Sequence, residues 1–141
     1  MFEITQTFTV GRPASAVFAY LTDPDKLASW QPTTVDVRRK ADGPFRAGEV
    51  FEETHKAGPR KLDSTFRVDA YEPPREFSLV ALEGPVKFDG RWQLAEAHGA
   101  TTVTFTGAGS APRLLAPLMK RSFDSRFRSY HRTLKGLIEK A

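Results

Sequence analysis

The stretch PRLLAPLMKRSFDSRFRSYHRTLKGLIEKA, residues 112–141, decides the fold that the sequence predicts. Its apolar residues are mostly three or four positions apart, which places them on one face of an α-helix. They are Met119, Phe123, Phe127, Tyr130, Leu134, Leu137 and Ile138. The spacing predicts a helix over 117–140, with Pro117 at a kink or at its first turn. A helix this long and aromatic needs a large apolar partner surface, which only the middle of the chain can supply.

The rest of the chain predicts that surface as a sheet. Residues 2–10 alternate apolar side chains with threonines, the pattern of a half-buried strand. Two short helices follow, one opened by Pro13 and one by Asp23-Pro24 and running to Trp30. Six further strands separated by turns are predicted near 35–37 and over 50–56, 62–71, 76–82, 86–94 and 101–106. The sequence therefore predicts an α+β fold with about seven antiparallel strands, whose inner face the long helix covers.

Length and composition narrow the class of protein. The 141 residues suit one domain, and the absence of cysteine excludes disulfides, a thiolate nucleophile and a Cys-ligated metal. No apolar run approaches about 18 residues, so membrane insertion is not expected. We expect a cytoplasmic protein. The three histidines are widely separated and have no clustered carboxylates, so we expect no metal site and no cofactor.

The positive charge is concentrated in the predicted helix. Residues 112–141 hold eight Lys or Arg against two acidic residues, a balance of +6. A solvated helix face is the simplest interpretation of this charge. The alternatives are peripheral contact with an acidic lipid surface, an anionic ligand or RNA. Nucleic acid is not expected as a partner, because no recognition motif or stacking platform accompanies the charge.

Several short motifs stand in a fixed order along the chain. They are Arg12-Pro13-Ala14-Ser15-Ala16-Val17-Phe18, Leu21-Thr22-Asp23-Pro24 with Trp30, Gly48, Tyr71-Glu72-Pro73-Pro74-Arg75, Gly99-Ala100-Thr101-Thr102-Val103-Thr104, and Leu115-Ala116-Pro117-Leu118 with Leu134-Lys135-Gly136-Leu137-Ile138-Glu139. In combination they resemble the START/Bet v 1-like (SRPBCC) superfamily, in particular its polyketide cyclase/dehydrase and lipid-transport branch. The chain departs from that pattern at Ala100, where the family usually has Thr.

This resemblance implies a helix-grip fold, in which a curved antiparallel sheet holds the long helix over a ligand cavity. It implies little about the ligand, because family members bind lipids, sterols, quinones and polyketides and a minority are catalysts. With such a cavity, strand parity and the opposing helix stripe predict which side chains contact the ligand: Phe51, Phe66, Val68, Phe77, Leu79, Phe88, Trp92, Phe105, Met119, Phe123, Phe127 and Tyr130. Spacing alone would place the same side chains in the core.

Glu53 and His55 are the strongest candidates for chemistry. If Phe51 points inward, both point inward too, about 6.5–7 Å apart along the strand. Burial would then raise the pKa of Glu53 and the imidazole would oppose that rise, giving an acid–base pair. The opposite parity, with Val50 inward, places both side chains in water, and the sequence does not decide between the two. Tyr130 is the third candidate proton donor.

Two further features are interpreted as structural. We expect His131 to be a half-buried histidine that bonds to backbone or water, because it lies at the edge of the helix stripe. Residues 107–109 begin like a nucleotide-binding loop, but Pro112 breaks that fingerprint.

The leading hypothesis is a binding or carrier protein for a small hydrophobic molecule. The alternatives are a polyketide cyclase or dehydratase that uses the same cavity, and a membrane-surface or protein-interaction module. The oligomeric state is not predicted.

Overall fold

A computed structural model describes all 141 residues and contains seven strands and three α-helices. The elements in order are β1 (Phe2–Val10), α1 (Ala14–Leu21), a 3-10 turn (Pro24–Lys26), α2 (Leu27–Trp30), β2 (Thr34–Arg38), β3 (Val50–Ala57), β4 (Arg60–Glu72), β5 (Glu76–Glu83), β6 (Phe88–Ala97), β7 (Ala100–Gly109) and α3 (Ala116–Lys140). This order confirms the predicted α+β class, with its two short helices after the first strand and its long final helix.

The strands form one antiparallel sheet in the order β1-β7-β6-β5-β4-β3-β2. Irregularities in pairing occur between Thr34 and Asp36 and between Val68 and Ala70, and extra residues of this kind bend and twist a strand. At the second, the Ala70 N–H donates to Ser78 Oγ at 3.0 Å. The bulge also corrects a prediction. Alternation along the predicted strand 62–71 would place Ala70 on the face of Val68, but after the bulge it is Tyr71 that packs against the core, where it pairs with Phe77.

The core lies between the inner face of the sheet, the short helices and the C-terminal half of α3. Tyr130, His131, Leu134 and Ile138 are the buried residues of α3. Phe123 and Phe127, which the helix stripe placed with them, are only half-buried and pack against the edge of the core.

The loop between β2 and β3 adds a core residue that the sequence pattern did not indicate. Phe45 is buried and packs against Phe51 and Phe77, with ring centroids 5.0 and 5.6 Å apart. Arg39 and Glu49 hold the two ends of this loop together through contacts of 2.6 and 2.9 Å, with both side chains about nine-tenths buried. The pair is bidentate, which fixes the relative position of the two loop ends, and removal of one partner would leave the other charge buried and unpaired.

Two glycines of β7 make room for aromatic rings. A Cβ on Gly107 would lie 2.3 Å from Phe88 Cζ, and one on Gly109 would lie 2.4 Å from Phe2 Cζ. Residues 107–109 are therefore strand positions that let rings approach the backbone. No helix is both long and apolar enough to cross a membrane.

Candidate functional site

A cavity of about 320 Å³ lies between the sheet and the N-terminal half of α3. Its apolar wall consists of Leu27, Leu62, Phe66, Leu79, Pro85, Val86, Phe88, Trp92, Met119, Phe123 and Phe127, and its polar groups include Gln31, Thr33, Glu53, His55, Lys56, Ser64, Ser122, Arg126 and Tyr130. A larger depression of about 720 Å³ lies on the outside of the molecule, beside the 3-10 turn and β2. Its lining is mostly polar and Tyr71 is its one aromatic side chain, so the cavity under α3 is the candidate site.

The structure brings together eight of the twelve side chains predicted to contact a ligand. Those on the cavity wall are Phe66, Leu79, Phe88, Trp92, Met119, Phe123, Phe127 and Tyr130. Ligand contact by these eight remains a prediction.

The other four, Phe51, Val68, Phe77 and Phe105, are buried in the core and do not line the cavity. Phe45 packs over Phe51 and Phe77. Phe105 packs against Phe127, with ring centroids 4.8 Å apart. Strand parity selected the correct face for these residues, but other side chains cover them there.

Some residues of the wall were not named in advance as ligand contacts. Leu62 shares the inward face of β4 with Phe66, so strand parity could have found it, whereas Val86 lies in the loop before β6 although the sequence predicted a strand over 86–94. Arg126 lies three residues after Phe123 and four before Tyr130, a helical spacing that places it beside them. Its guanidinium lies 5.1 Å from the centroid of the Phe123 ring. Lys56 and Arg126 give the cavity two cationic groups, and neither has an ion-pair partner within 4.0 Å.

Glu53 and His55 take the inward orientation, which the sequence had left open. Glu53 is 4% exposed, His55 is half-buried and Val50 is exposed on the other face of β3. Thr34 Oγ1 donates to Glu53 Oε1 at 2.7 Å, and His55 Nδ1 lies 3.7 Å from that oxygen. Burial raises the pKa of Glu53, while the neighbouring imidazole and the Thr34 hydrogen bond oppose the rise. The carboxyl can therefore hold a proton more readily than an exposed one.

Tyr130 reaches the same cavity from α3. Its hydroxyl forms a hydrogen bond with Thr33 Oγ1 at 2.5 Å. Burial raises the pKa of Tyr130, and the Thr33 bond and the charge of Arg126 oppose that rise. The three sequence-predicted candidates for proton transfer, Glu53, His55 and Tyr130, thus face one cavity. A protonated carboxyl and a phenol can both donate hydrogen bonds to a ligand oxygen.

His131 differs from its predicted role. It is fully buried and bonds to side chains, whereas the sequence predicted a half-buried ring bonded to backbone or water. The Trp92 indole donates to His131 Nε2 at 3.1 Å, so Nδ1 carries the hydrogen and donates to Gln6 Oε1 at 2.8 Å. The Gln6 amide in turn donates to the carbonyl oxygen of Asp124 at 2.7 Å.

Burial lowers the pKa of His131 to about 3, so the ring is neutral near pH 7. His131 therefore joins the wall residue Trp92 to α3 and to the edge strand β1. Elsewhere, no group of three His, Asp or Glu side chains is arranged to hold a metal ion.

Comparison with known proteins places this geometry in context. The sequence profile of the family described as "Polyketide cyclase / dehydrase and lipid transport" matches residues 1–140. A search of curated proteins gave no match.

Three solved structures illustrate the likeness of fold. Zhui aromatase/cyclase from Streptomyces sp. R1128 has a TM-score of 0.82 and 20% identity, over 99% of this chain and 94% of that chain. A conserved protein from Geobacillus kaustophilus has a TM-score of 0.80 and 15% identity, over 99% and 96%. The protein Ara h 8.0201 has a TM-score of 0.78 and 12% identity, over 99% of each chain. The predicted helix-grip fold is thereby confirmed.

Proposed function

Because the chain belongs to the polyketide cyclase/dehydrase and lipid transport family of the SRPBCC superfamily, we propose that it binds or carries a small hydrophobic molecule in the cavity under α3. A lipid, a quinone or a polyketide-like compound fits this class. The observation that carries the proposal is the wall itself, in which Phe66, Phe88, Trp92, Phe123 and Phe127 form an aromatic surface around about 320 Å³. Removal of apolar ligand surface from water would supply most of the affinity.

The polar groups would orient the ligand. Burial raises the pKa of Glu53 and of Tyr130, and in its protonated form each could donate one hydrogen bond to a ligand carbonyl or hydroxyl. Each such bond would contribute about 0.5–1.5 kcal/mol, less than the apolar wall as a whole. Uptake would then depend on the shape of the cavity more than on any single polar residue.

An enzyme of the cyclase or dehydratase type is the alternative. It is favoured by the meeting of Glu53, His55 and Tyr130 at one cavity, with His55 Nδ1 3.7 Å from the Glu53 carboxylate. Such a trio could move protons to and from a substrate that the aromatic wall holds folded. One protein of similar structure, Zhui, is an aromatase/cyclase.

The test measures binding and turnover together. Calorimetry would follow the uptake of a small apolar probe such as naphthol, and product analysis would follow candidate polyketide thioesters. Leu79→Trp should block uptake without unfolding the protein, because it fills the cavity. Val35→Trp, on the exposed bulge of β2, is the matched control and should bind as the wild type does.

Glu53→Gln and His55→Gln separate the two functions. For a carrier each change should weaken uptake by about 1 kcal/mol, the value of one hydrogen bond. For an enzyme each should reduce turnover about 100- to 10,000-fold while binding persists. If the wild type turns over a substrate and Glu53→Gln does not, the carrier function is rejected in favour of the enzyme. Equal probe uptake by Leu79→Trp and the wild type would reject this cavity as the binding site.

The setting of this function is also part of the proposal. We expect residues 1–141 to act as one ligand-binding domain in the cytoplasm, without a cofactor. A carrier must contact the surface that supplies its ligand, and the basic residues of α3 are the expected place of contact with a membrane surface. Some of these basic residues already form contacts within the chain. Arg128 donates to Asp124 at 2.7 Å, and Lys135 donates to the Thr9 carbonyl at 2.7 Å.

A further inference from the structure

The turn that leads into α3 and the first turn of that helix carry the most exposed leucines of the molecule. Leu114 is 93% exposed, Leu118 is 65% and Leu115 is 49%. These three are half of the six large apolar side chains that are exposed, and they lie within five consecutive residues. We call Leu114, Leu115 and Leu118 the leucine tip. A cluster of this kind calls for a partner surface, because scattered single leucines are the ordinary case.

The backbone holds the leucine tip in a helical turn. The Ala116 N–H donates to the Pro112 carbonyl at 2.9 Å, and the Met119 N–H donates to the Leu115 carbonyl at 2.9 Å. Leu114 and Leu118 are four residues apart, so they project from the same side of this turn. The tip is therefore a fixed apolar projection.

Cationic residues flank the leucine tip in the sequence. Arg113, Lys120 and Arg121 are exposed, and none of the three has an ion-pair partner within 4.0 Å. Asp124 is the one acidic residue between positions 112 and 138, and it pairs with Arg128. The charge next to the tip is thus positive and free to meet an anionic partner.

The leucine tip also borders the candidate site. Met119, the residue after Leu118, lines the cavity, as do Ser122 and Phe123 one turn later. On the other side of the tip, the Ser110 N–H contacts the Lys87 carbonyl at 3.4 Å, which ties this segment to the loop that places Pro85 and Val86 on the cavity wall. A surface bound at the tip would lie beside the cavity.

We propose that the leucine tip docks on an anionic lipid bilayer. The leucines would enter the boundary between headgroups and acyl chains, and Arg113, Lys120 and Arg121 would pair with lipid phosphates. A second copy of the chain fits less well, because a twofold contact would place this positive patch against itself. The docking rests on the proposed carrier function only for its biological role, which would be to bring the cavity to a membrane. It gives the membrane contact proposed for α3 a defined place.

Vesicle co-sedimentation tests the docking. The wild type should bind vesicles of phosphatidylcholine mixed with phosphatidylglycerol, and should bind them more weakly at high salt or when phosphatidylcholine is the only lipid. Leu114→Ser/Leu118→Ser should reduce binding about tenfold or more, since the apolar anchor is lost. Val35→Ser/Val50→Ser removes two exposed apolar side chains elsewhere and should bind as the wild type does.

The cationic contribution has its own pair of variants. Arg113→Gln/Arg121→Gln should weaken binding about fivefold for each charge removed and should reduce its dependence on salt. Arg46→Gln/Arg75→Gln removes two exposed arginines away from the tip and should leave binding intact. Circular dichroism should show all four double variants folded, because the substituted side chains are exposed.

Several outcomes would overturn the proposal. One is no binding of the wild type to either kind of vesicle. Another is equal binding by Leu114→Ser/Leu118→Ser and the wild type. A third is a wild-type dimer in light scattering that Leu114→Ser/Leu118→Ser abolishes, when neither protein binds vesicles. Leu79→Trp, which fills the cavity, should still bind vesicles. Failure of ligand uptake and failure of docking are therefore separate results.

Discussion

The two halves of helix α3 face the same sheet but meet it differently. In the C-terminal half, Tyr130, Leu134 and Ile138 are buried and close the core. In the N-terminal half, Met119, Phe123 and Phe127 are half-buried and border a cavity. Both halves carry one continuous apolar stripe. The difference shows that a stripe can provide packing at one end and a binding surface at the other, so stability and ligand uptake should respond to different mutations.

The largest expected effect is on the packed half. Leu134 is 0% exposed, and Leu134→Ala should lower the free energy of unfolding by about 2–5 kcal/mol because it leaves a cavity in a filled core. Urea denaturation measures this change. Uptake of an apolar probe by the folded fraction should stay close to that of the wild type. A loss of uptake without a loss of stability would reverse the assigned roles of the two halves.

Acid should weaken the packed half through His131. Its pKa is about 3 in the folded protein and 6.5 in the unfolded chain, so below 6.5 the unfolded state takes up a proton that the folded state does not. This stabilisation is present above pH 6.5 and is lost as the pH falls toward 3, by about 1.4 kcal/mol per pH unit. Denaturation at a series of pH values measures the slope.

His131→Gln is the control for this slope. It removes the titrating ring, so stability should decline less steeply with acid than in the wild type. Glu53 acts in the opposite direction, because its raised pKa makes its contribution largest below 4.5 and smaller as the pH rises through the folded value. The same acid slope in His131→Gln and the wild type would show that His131 does not set it.

A smaller effect on stability is expected in the cavity half. Phe123→Ala should cost about 1–2 kcal/mol, since the ring is only half-buried and full burial of such a side chain contributes about 1.5–3 kcal/mol. Its effect on uptake should be larger than that of Leu134→Ala, because the ring forms part of the wall. Denaturation and probe titration of the two variants in parallel test this crossed pattern. A cost for Phe123→Ala as large as that for Leu134→Ala would remove the distinction.

The smallest effect is expected on the solvent side of the helix. Arg132 is exposed and has no ion-pair partner within 4.0 Å, so Arg132→Gln should change stability by less than about 0.5 kcal/mol. Lys135→Gln, which loses the contact with the Thr9 carbonyl, serves as its comparison. Thermal unfolding of both variants is sufficient. A large loss in Arg132→Gln would mean that this face has a structural role.

The sequence predicted the order of elements because each has a strong periodicity, from the alternation of β1 to the stripe of α3. It predicted faces but not depth. Leu134 and Phe123 belong to one stripe, and their different burial depends on how the sheet curves beneath them. The bulge before Ala70 exchanges the two faces of β4 beyond that point. No local signal in the sequence marks the extra residue, so alternation could not predict this exchange.

Partners distant in sequence explain what else was missed. The burial of His131 depends on Gln6 and Trp92, which lie 125 and 39 residues away, and no spacing rule joins them. Phe45 lies in a loop without periodicity and reaches the core because Arg39 and Glu49 close that loop. In the candidate site, parity predicted that Glu53 and His55 share one face of β3. It could not decide whether that face points inward or into water.

Trp92 gives the protein an intrinsic optical signal. The chain has two tryptophans, and Trp92 and Trp30 lie in one core cluster with ring centroids 6.2 Å apart. Because both rings lie in this cluster, the tryptophan emission of the molecule originates at one place. Trp92 also lines the cavity, and its emission should change when a ligand packs against the ring. Occupancy of the site could then be followed in unlabelled protein, with Trp30→Phe leaving a single emitter on the wall.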